Sequence, residues 1–162
     1  MKVNAIPVAK WRQRARVGIV NILVAVDFSD GSKAALRYAA QLAAAFDAAV
    51  TVINVVEINY GWMKYGANEF GLLDEQSREN RKRTLQSFAR ECGAGLWWRY
   101  IARLGNPAEE IAETAREVDA DVVLIATRGL TGVQHTVIGS TAEQVVRTAP
   151  CPVWVVPVKG AL

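Results

Sequence analysis

Hydrophobic and polar positions along this chain fall into two alternating rhythms. Val20-Asn21-Ile22-Leu23-Val24-Ala25-Val26 is almost continuously apolar, the signature of a parallel strand covered on both faces. It runs into Asp27-Phe28-Ser29-Asp30-Gly31-Ser32, a dense cluster of turn and cap residues. Asp30, as the residue entering the next helix, reads as its cap. The periodicity then lengthens: Leu36, Ala39, Ala40, Ala43 and Phe46 recur on one face, predicting a first helix. A second strand follows at residues 49–56. Residues 57–73, with Tyr60-Gly61-Trp62-Met63-Lys64-Tyr65-Gly66 at their centre, keep no period and read as a long loop.

A charged helix is predicted from Asp74 to Arg90, with Asp74–Arg78 and Glu79–Arg83 at i, i+4 spacing. Leu96 to Ala102 is a less apolar strand that suits a sheet edge. Asn106-Pro107-x-Glu109 combines a cap, a first-position proline and a reciprocal acid, so a helix starts there and turns Ile111, Ala112, Ala115 and Val118 inward. The run Val122-Val123-Leu124-Ile125 is a fourth strand, residues 141–148 a last helix, and residues 152–157 a fifth strand. This β-α-β-loop-α-β-α-β-α-β order predicts an α/β fold: an open five-stranded parallel sheet with helices on both faces and right-handed crossovers.

Such sheets bind ligands beyond the carboxyl ends of their strands. Asp27 falls at the exit of strand one. At the exit of strand four, residues 126–140 hold three glycines and four hydroxyl residues ahead of a helix, with Arg128 among them. Ser140-x-x-Glu143 reads as a capping box for that helix. Amides freed by glycine, a helix N-terminus and a cation suit a polyphosphate, and a carboxylate suits a ribose hydroxyl or an exocyclic amine. Together they predict a nucleotide site. Walker A, GxGxxG and GxSxG patterns are absent, and His135 is the single histidine, which leaves no metal cluster and no ready Ser–His triad. Binding, with at most slow hydrolysis, is therefore expected rather than fast catalysis.

Charge changes the picture at one end only. The chain of 162 residues carries a net +3, yet residues 1–18 contribute Lys2, Lys10, Arg12, Arg14 and Arg16 and no acid, so the remainder is net negative. Residues 1–18 are expected to be a basic flexible extension, with nucleic acid contact an alternative to simple solvation. With 51% hydrophobic residues and no apolar run long enough to span a bilayer, the expectation is one domain and a cytoplasmic location. Cys92 and Cys151 form no CxxC pair; Cys151, between two prolines, reads as a packing residue.

Ile22-Leu23-Val24-Ala25-Val26-Asp27-Phe28-Ser29, the five-strand alternation, and Gly129-x9-Gly139-Ser140 closing on Ala149-Pro150-Cys151-Pro152-Val153 resemble the universal stress protein family over about residues 18–158. The resemblance implies strand order 3-2-1-4-5, a Rossmann-like sheet of the adenine nucleotide alpha hydrolase-like type, over a domain at 19–158. It implies an ATP-binding (or AMP- or ADP-binding) stress-response protein that senses or regulates, with Mg2+ carried by the phosphates. By the resemblance, Asp27 contacts the adenosine end and Val55 packs on adenine. Gly129, Gly139 and Ser140, with Thr141 beside them, cradle phosphates, and Arg128 stands at a variable position. Ala126 replaces the first glycine of the pattern Gly-x2-Gly-x9-Gly-Ser/Thr; its Cβ is expected to narrow the phosphate approach and disfavour positive φ. The resemblance also implies a homodimer through strand five (Val153, Trp154, Val155, Val156). The alternatives are a dimeric interaction protein that does not take ATP, favoured by Ala126, and a slow ATPase or autophosphorylating protein.

Overall fold

The computed structural model describes residues 18–57, 75–94, 98–127 and 139–157. Nine elements follow in order: β1 (Asn21–Ala25), α1 (Asp30–Phe46), β2 (Ala49–Glu57), α2 (Glu75–Arg90), β3 (Trp98–Gly105), α3 (Pro107–Glu117), β4 (Val122–Ala126), α4 (Ser140–Thr148) and β5 (Val153–Val156). The strands form one sheet in the order β3-β2-β1-β4-β5, parallel throughout, with Asn21 opposite Ala49, Ile22 opposite Val122, Val50 opposite Trp98 and Val123 opposite Val153.

The strands' side-chain alternation divides the core into two layers. Ile22, Val24, Val50, Val52 and Leu124 pack on one face with Ala35, Leu36 and Ala39 of α1 and Leu85 and Ala89 of α2. Leu23, Ile53, Val123 and Ile125 pack on the other with Ala108, Ile111 and Ala115 of α3 and Ala142 and Val145 of α4. Small residues at the helix contacts let α1 and α3 lie close to the sheet. β1 and β4 are central and almost wholly buried, which is why their sequences are uninterrupted apolar runs. β3 is an edge strand with no fully buried residue. It begins at Trp98 and runs on to Gly105, beyond the expected Ala102, because Leu104 and Gly105 continue the pairing opposite Val56 and Glu57.

Several local expectations are corrected. Ser29, not Asp30, caps α1: its backbone is extended and its side chain accepts from Ser32 N, while Asp30 is the first helical residue and pairs with Lys33 at 3.8 Å. Phe46 closes α1 facing solvent, because the chain turns away through Asp47 in the left-handed region. Asn106 caps α3 as expected, accepting from Ala108 N and Glu109 N. Glu79 meets Arg83 at 3.8 Å. The basic extension (residues 1–17), the long loop from residue 58, Asp74, Leu96, Arg128, Gly129 and His135 lie outside the described residues. Among the described residues, no helix is long and apolar enough to cross a membrane.

Candidate functional site

The exit of β1 is built by its own short side chains. The Asp27 carboxylate accepts from Ser29 N through Oδ1 at 3.0 Å, an Asx turn, and from the Ser32 hydroxyl at 2.5 Å. Ser32 Oγ in turn accepts from Asp27 N at 2.9 Å. The tight turn puts Phe28 at φ 68°, a conformation that costs a side chain about 1–2 kcal/mol. Its ring meets Phe88 of α2 edge-to-face at 5.3 Å, a geometry that returns about 0.5–1.5 kcal/mol beyond area burial. A polar link adds to this one: Arg81 of α2 donates to Asn54 Oδ1 at 3.0 Å, and Asn54 Nδ2 donates to Val26 O at 2.7 Å. The turn carrying Asp27 is thus held from within and from α2.

The exit of β4 is built by close approach. Thr127 N donates to Val156 O at 2.9 Å, and the chain returns at Gly139, whose N–H donates to Thr127 O at 2.7 Å. A Cβ on Gly139 would lie 3.2 Å from that same carbonyl, tighter than most real contacts. Glycine is favoured here for space rather than for backbone freedom, since its φ of −68° is ordinary. This contact also overturns the Ser140-x-x-Glu143 capping box. Gly139 takes the extended cap conformation, Ser140 becomes the first residue of α4, and the Glu143 side chain pairs with Arg147 at 2.9 Å. A glycine cap offers no side chain to the first-turn N–H groups, which form the positive end of the helix dipole.

The two exits, joined by the tips of β2 and α3, enclose a cleft of about 270 Å3. Asp27, Val55, Ala126, Gly139, Ser140 and Thr141 all line it, so six of the eight residues expected from the sequence lie around one cleft. Arg128 and Gly129 are outside the described residues. Ala126 is the last residue of β4, paired with Val156, and its φ is not positive, so the backbone here asks for no left-handed conformation that alanine would resist. Only its Cβ, standing in the wall, bears on a ligand.

The sequence reading missed Ser32, Glu57, Thr127, Pro107 and Ile111, which also line the cleft. Glu57 had a usable signal as the polar residue ending an apolar strand. Pro107 and Ile111 had none, since only the packing of α3 on the sheet brings them there. Among the described residues of the wall, Asp27 and Glu57 are carboxylates and no side chain is basic. No group of three or more His, Cys, Asp or Glu side chains is placed to hold a metal among the described residues. Burial pushes the thiols of Cys92 and Cys151 above their ordinary pKa, which keeps them protonated. Cys92 is buried and Cys151 half-buried against the second core layer, a packing role for both.

A doubly wound parallel sheet with a ligand-sized cleft where β1 and β4 diverge defines a class of α/β domains that bind small molecules at the switch in chain direction. The model of the universal stress protein family matches residues 19–157, and the chain belongs to that family. A universal stress protein of Methanocaldococcus jannaschii is 36% identical over 139 residues, covering 83% of this chain and 80% of that one. Among solved structures, UspA from Lactobacillus plantarum superposes with a TM-score of 0.69 at 26% identity, covering 87% of this chain and 99% of that one. A universal stress protein in complex with cAMP superposes with a TM-score of 0.58 at 25% identity, covering 85% of this chain and 95% of that one.

Proposed function

We propose that this protein binds an adenine nucleotide in the cleft and works as a nucleotide-responsive regulator rather than a fast enzyme. One observation carries the reading: a carboxylate from the tip of β1, an apolar side chain from the tip of β2 and the glycine-capped N-terminus of α4 line a single cleft of nucleoside size. The chemistry of each matches one part of a nucleotide. Asp27 accepts from a sugar hydroxyl or an amine, Val55 packs on the base, and the first-turn amides at Ser140 and Thr141 receive phosphate. Arg128 and Gly129 complete the phosphate cradle in this reading, and Mg2+ arrives on the phosphates, with the Ser140 hydroxyl as the protein's contribution. The relative in complex with cAMP supports an adenine ligand.

A specific feature of the wall favours a second reading within the same site. Two carboxylates and, among the described residues, no basic side chain favour a ligand with few phosphates, AMP or cAMP, over ATP. Titration calorimetry with ATP, ADP, AMP and cAMP on the full chain separates the two by their order of affinity. In either case Gly139→Val, whose side chain meets Thr127 O, reduces affinity at least tenfold, while Ala126→Gly, which clears the wall, tightens it. No heat with any of the four nucleotides overturns the reading.

A further inference from the structure

We infer that Ser32 is a positioning residue for the ligand-binding carboxylate: it fixes the direction in which Asp27 faces the cleft. The inference rests on the adenine-nucleotide reading and deepens it. Ser32 is the third residue of α1 and is 2% exposed, yet the helix does not use its hydroxyl for capping, since Ser29 supplies the cap. That hydroxyl is instead committed to Asp27 twice over. It donates its one proton to Asp27 Oδ1 at 2.5 Å and accepts from Asp27 N at 2.9 Å, gripping the same residue by backbone and side chain. Its second lone pair faces Ser29 Oγ at 3.4 Å, which exhausts the capacity of a hydroxyl.

The consequence is geometric. Asp27 Oδ1 receives two donors, Ser32 Oγ–H and Ser29 N–H, so rotation about the Asp27 side chain is closed off. With the backbone N–H held as well, the plane of the carboxylate is set before any ligand arrives. A carboxylate accepts hydrogen bonds, so the ligand group that suits it is one that donates: a sugar hydroxyl or an exocyclic amine. Ser32 itself lines the cleft beside Asp27, close enough to shape it without supplying the principal contact. Pre-setting a ligand group in this way raises affinity by removing an ordering cost from the binding step.

The test is a double-mutant cycle on the full chain, read by titration calorimetry with AMP and ATP. Ser32→Ala is compatible with the helix, since alanine is the best helix former, and a thermal melt confirms that the variant is folded. The expected result is a loss of affinity of about tenfold for Ser32→Ala and a larger loss for Asp27→Ala. Adding Ser32→Ala to Asp27→Ala is expected to change affinity less than about twofold, because the second residue acts only through the first. Ser32→Thr, which retains the hydroxyl, is expected to bind within a few-fold of the parent. Parental affinity in Ser32→Ala, or an equal tenfold loss in the Asp27→Ala background, overturns the positioning role and leaves the nucleotide reading standing. Absence of binding by the parent chain overturns the nucleotide reading and this inference with it.

Discussion

Single residues in this molecule earn their identity by what lies within a few ångströms of them. Gly139 is favoured as glycine because a Cβ there would crowd Thr127 O at 3.2 Å, and its extended backbone makes it the residue that caps α4. That is why the capping box read at Ser140 fails: a local pattern is overruled by a contact twelve positions back along the chain. Asn106 shows the opposite case, a cap decided by its own next three residues and hence legible in the sequence. Among the described residues Thr114 of α3 is an outlier, fully buried with an Oγ1 that has no hydrogen-bond partner there. An orphaned hydroxyl costs about 1–3 kcal/mol, so Thr114→Val, which keeps the shape, is expected to raise unfolding free energy by about 1 kcal/mol in urea titrations. A loss of similar size contradicts the assignment of that hydroxyl as unsatisfied.

At the scale of elements, what was legible is what burial dictates. β1 and β4 are covered on both faces, and their branched apolar runs declare it. Their tips carry the residues expected at the site, since the sense in which successive strands are added to the sheet reverses between them. Glu57 was legible only as the polar end of an apolar strand, and Ser32 was not legible as a site residue at all. The first depends on how far β2 pairs with β3, and the second on a side chain folding back five positions to Asp27. The opposite ends of β1 and β4 are tied by Asp121, whose Oδ2 accepts from Val20 N at 2.7 Å and Asn21 N at 2.9 Å. Those two amides hold its carboxyl below the ordinary value of 3.8. A carboxyl depressed in the folded state adds stability above its unfolded pKa and loses it as pH falls through the folded one. Thermal melts of the parent are therefore expected to drop on acidification below about pH 4. Asp121→Asn should flatten that part of the curve and lower the midpoint at pH 7, and an unchanged acid profile contradicts this account of the strand tie.

For the whole molecule, the sheet's open side is the feature that the isolated chain leaves exposed. β5 is an edge strand, and Trp154 on it is 45% exposed, with its ring 6.4 Å from that of Tyr38 on α1. Short apolar edges of this kind pair readily with a second chain. The homodimer proposed through Val153–Val156 predicts a dimeric mass by light scattering at micromolar concentration, and a monomeric mass for Trp154→Arg. A monomeric parent contradicts it. The described residues of the proposed nucleotide site come from the carboxyl ends of strands of one sheet and from α1, α3 and α4 of the same chain. A crystal structure of the full chain with AMP bound tests this most directly. The account predicts the base against Val55, the sugar within hydrogen-bond distance of the Asp27 carboxylate, and the phosphate over the amides of Ser140 and Thr141. AMP seated elsewhere, or lodged in the cleft with its phosphate turned towards Glu57, would contradict it.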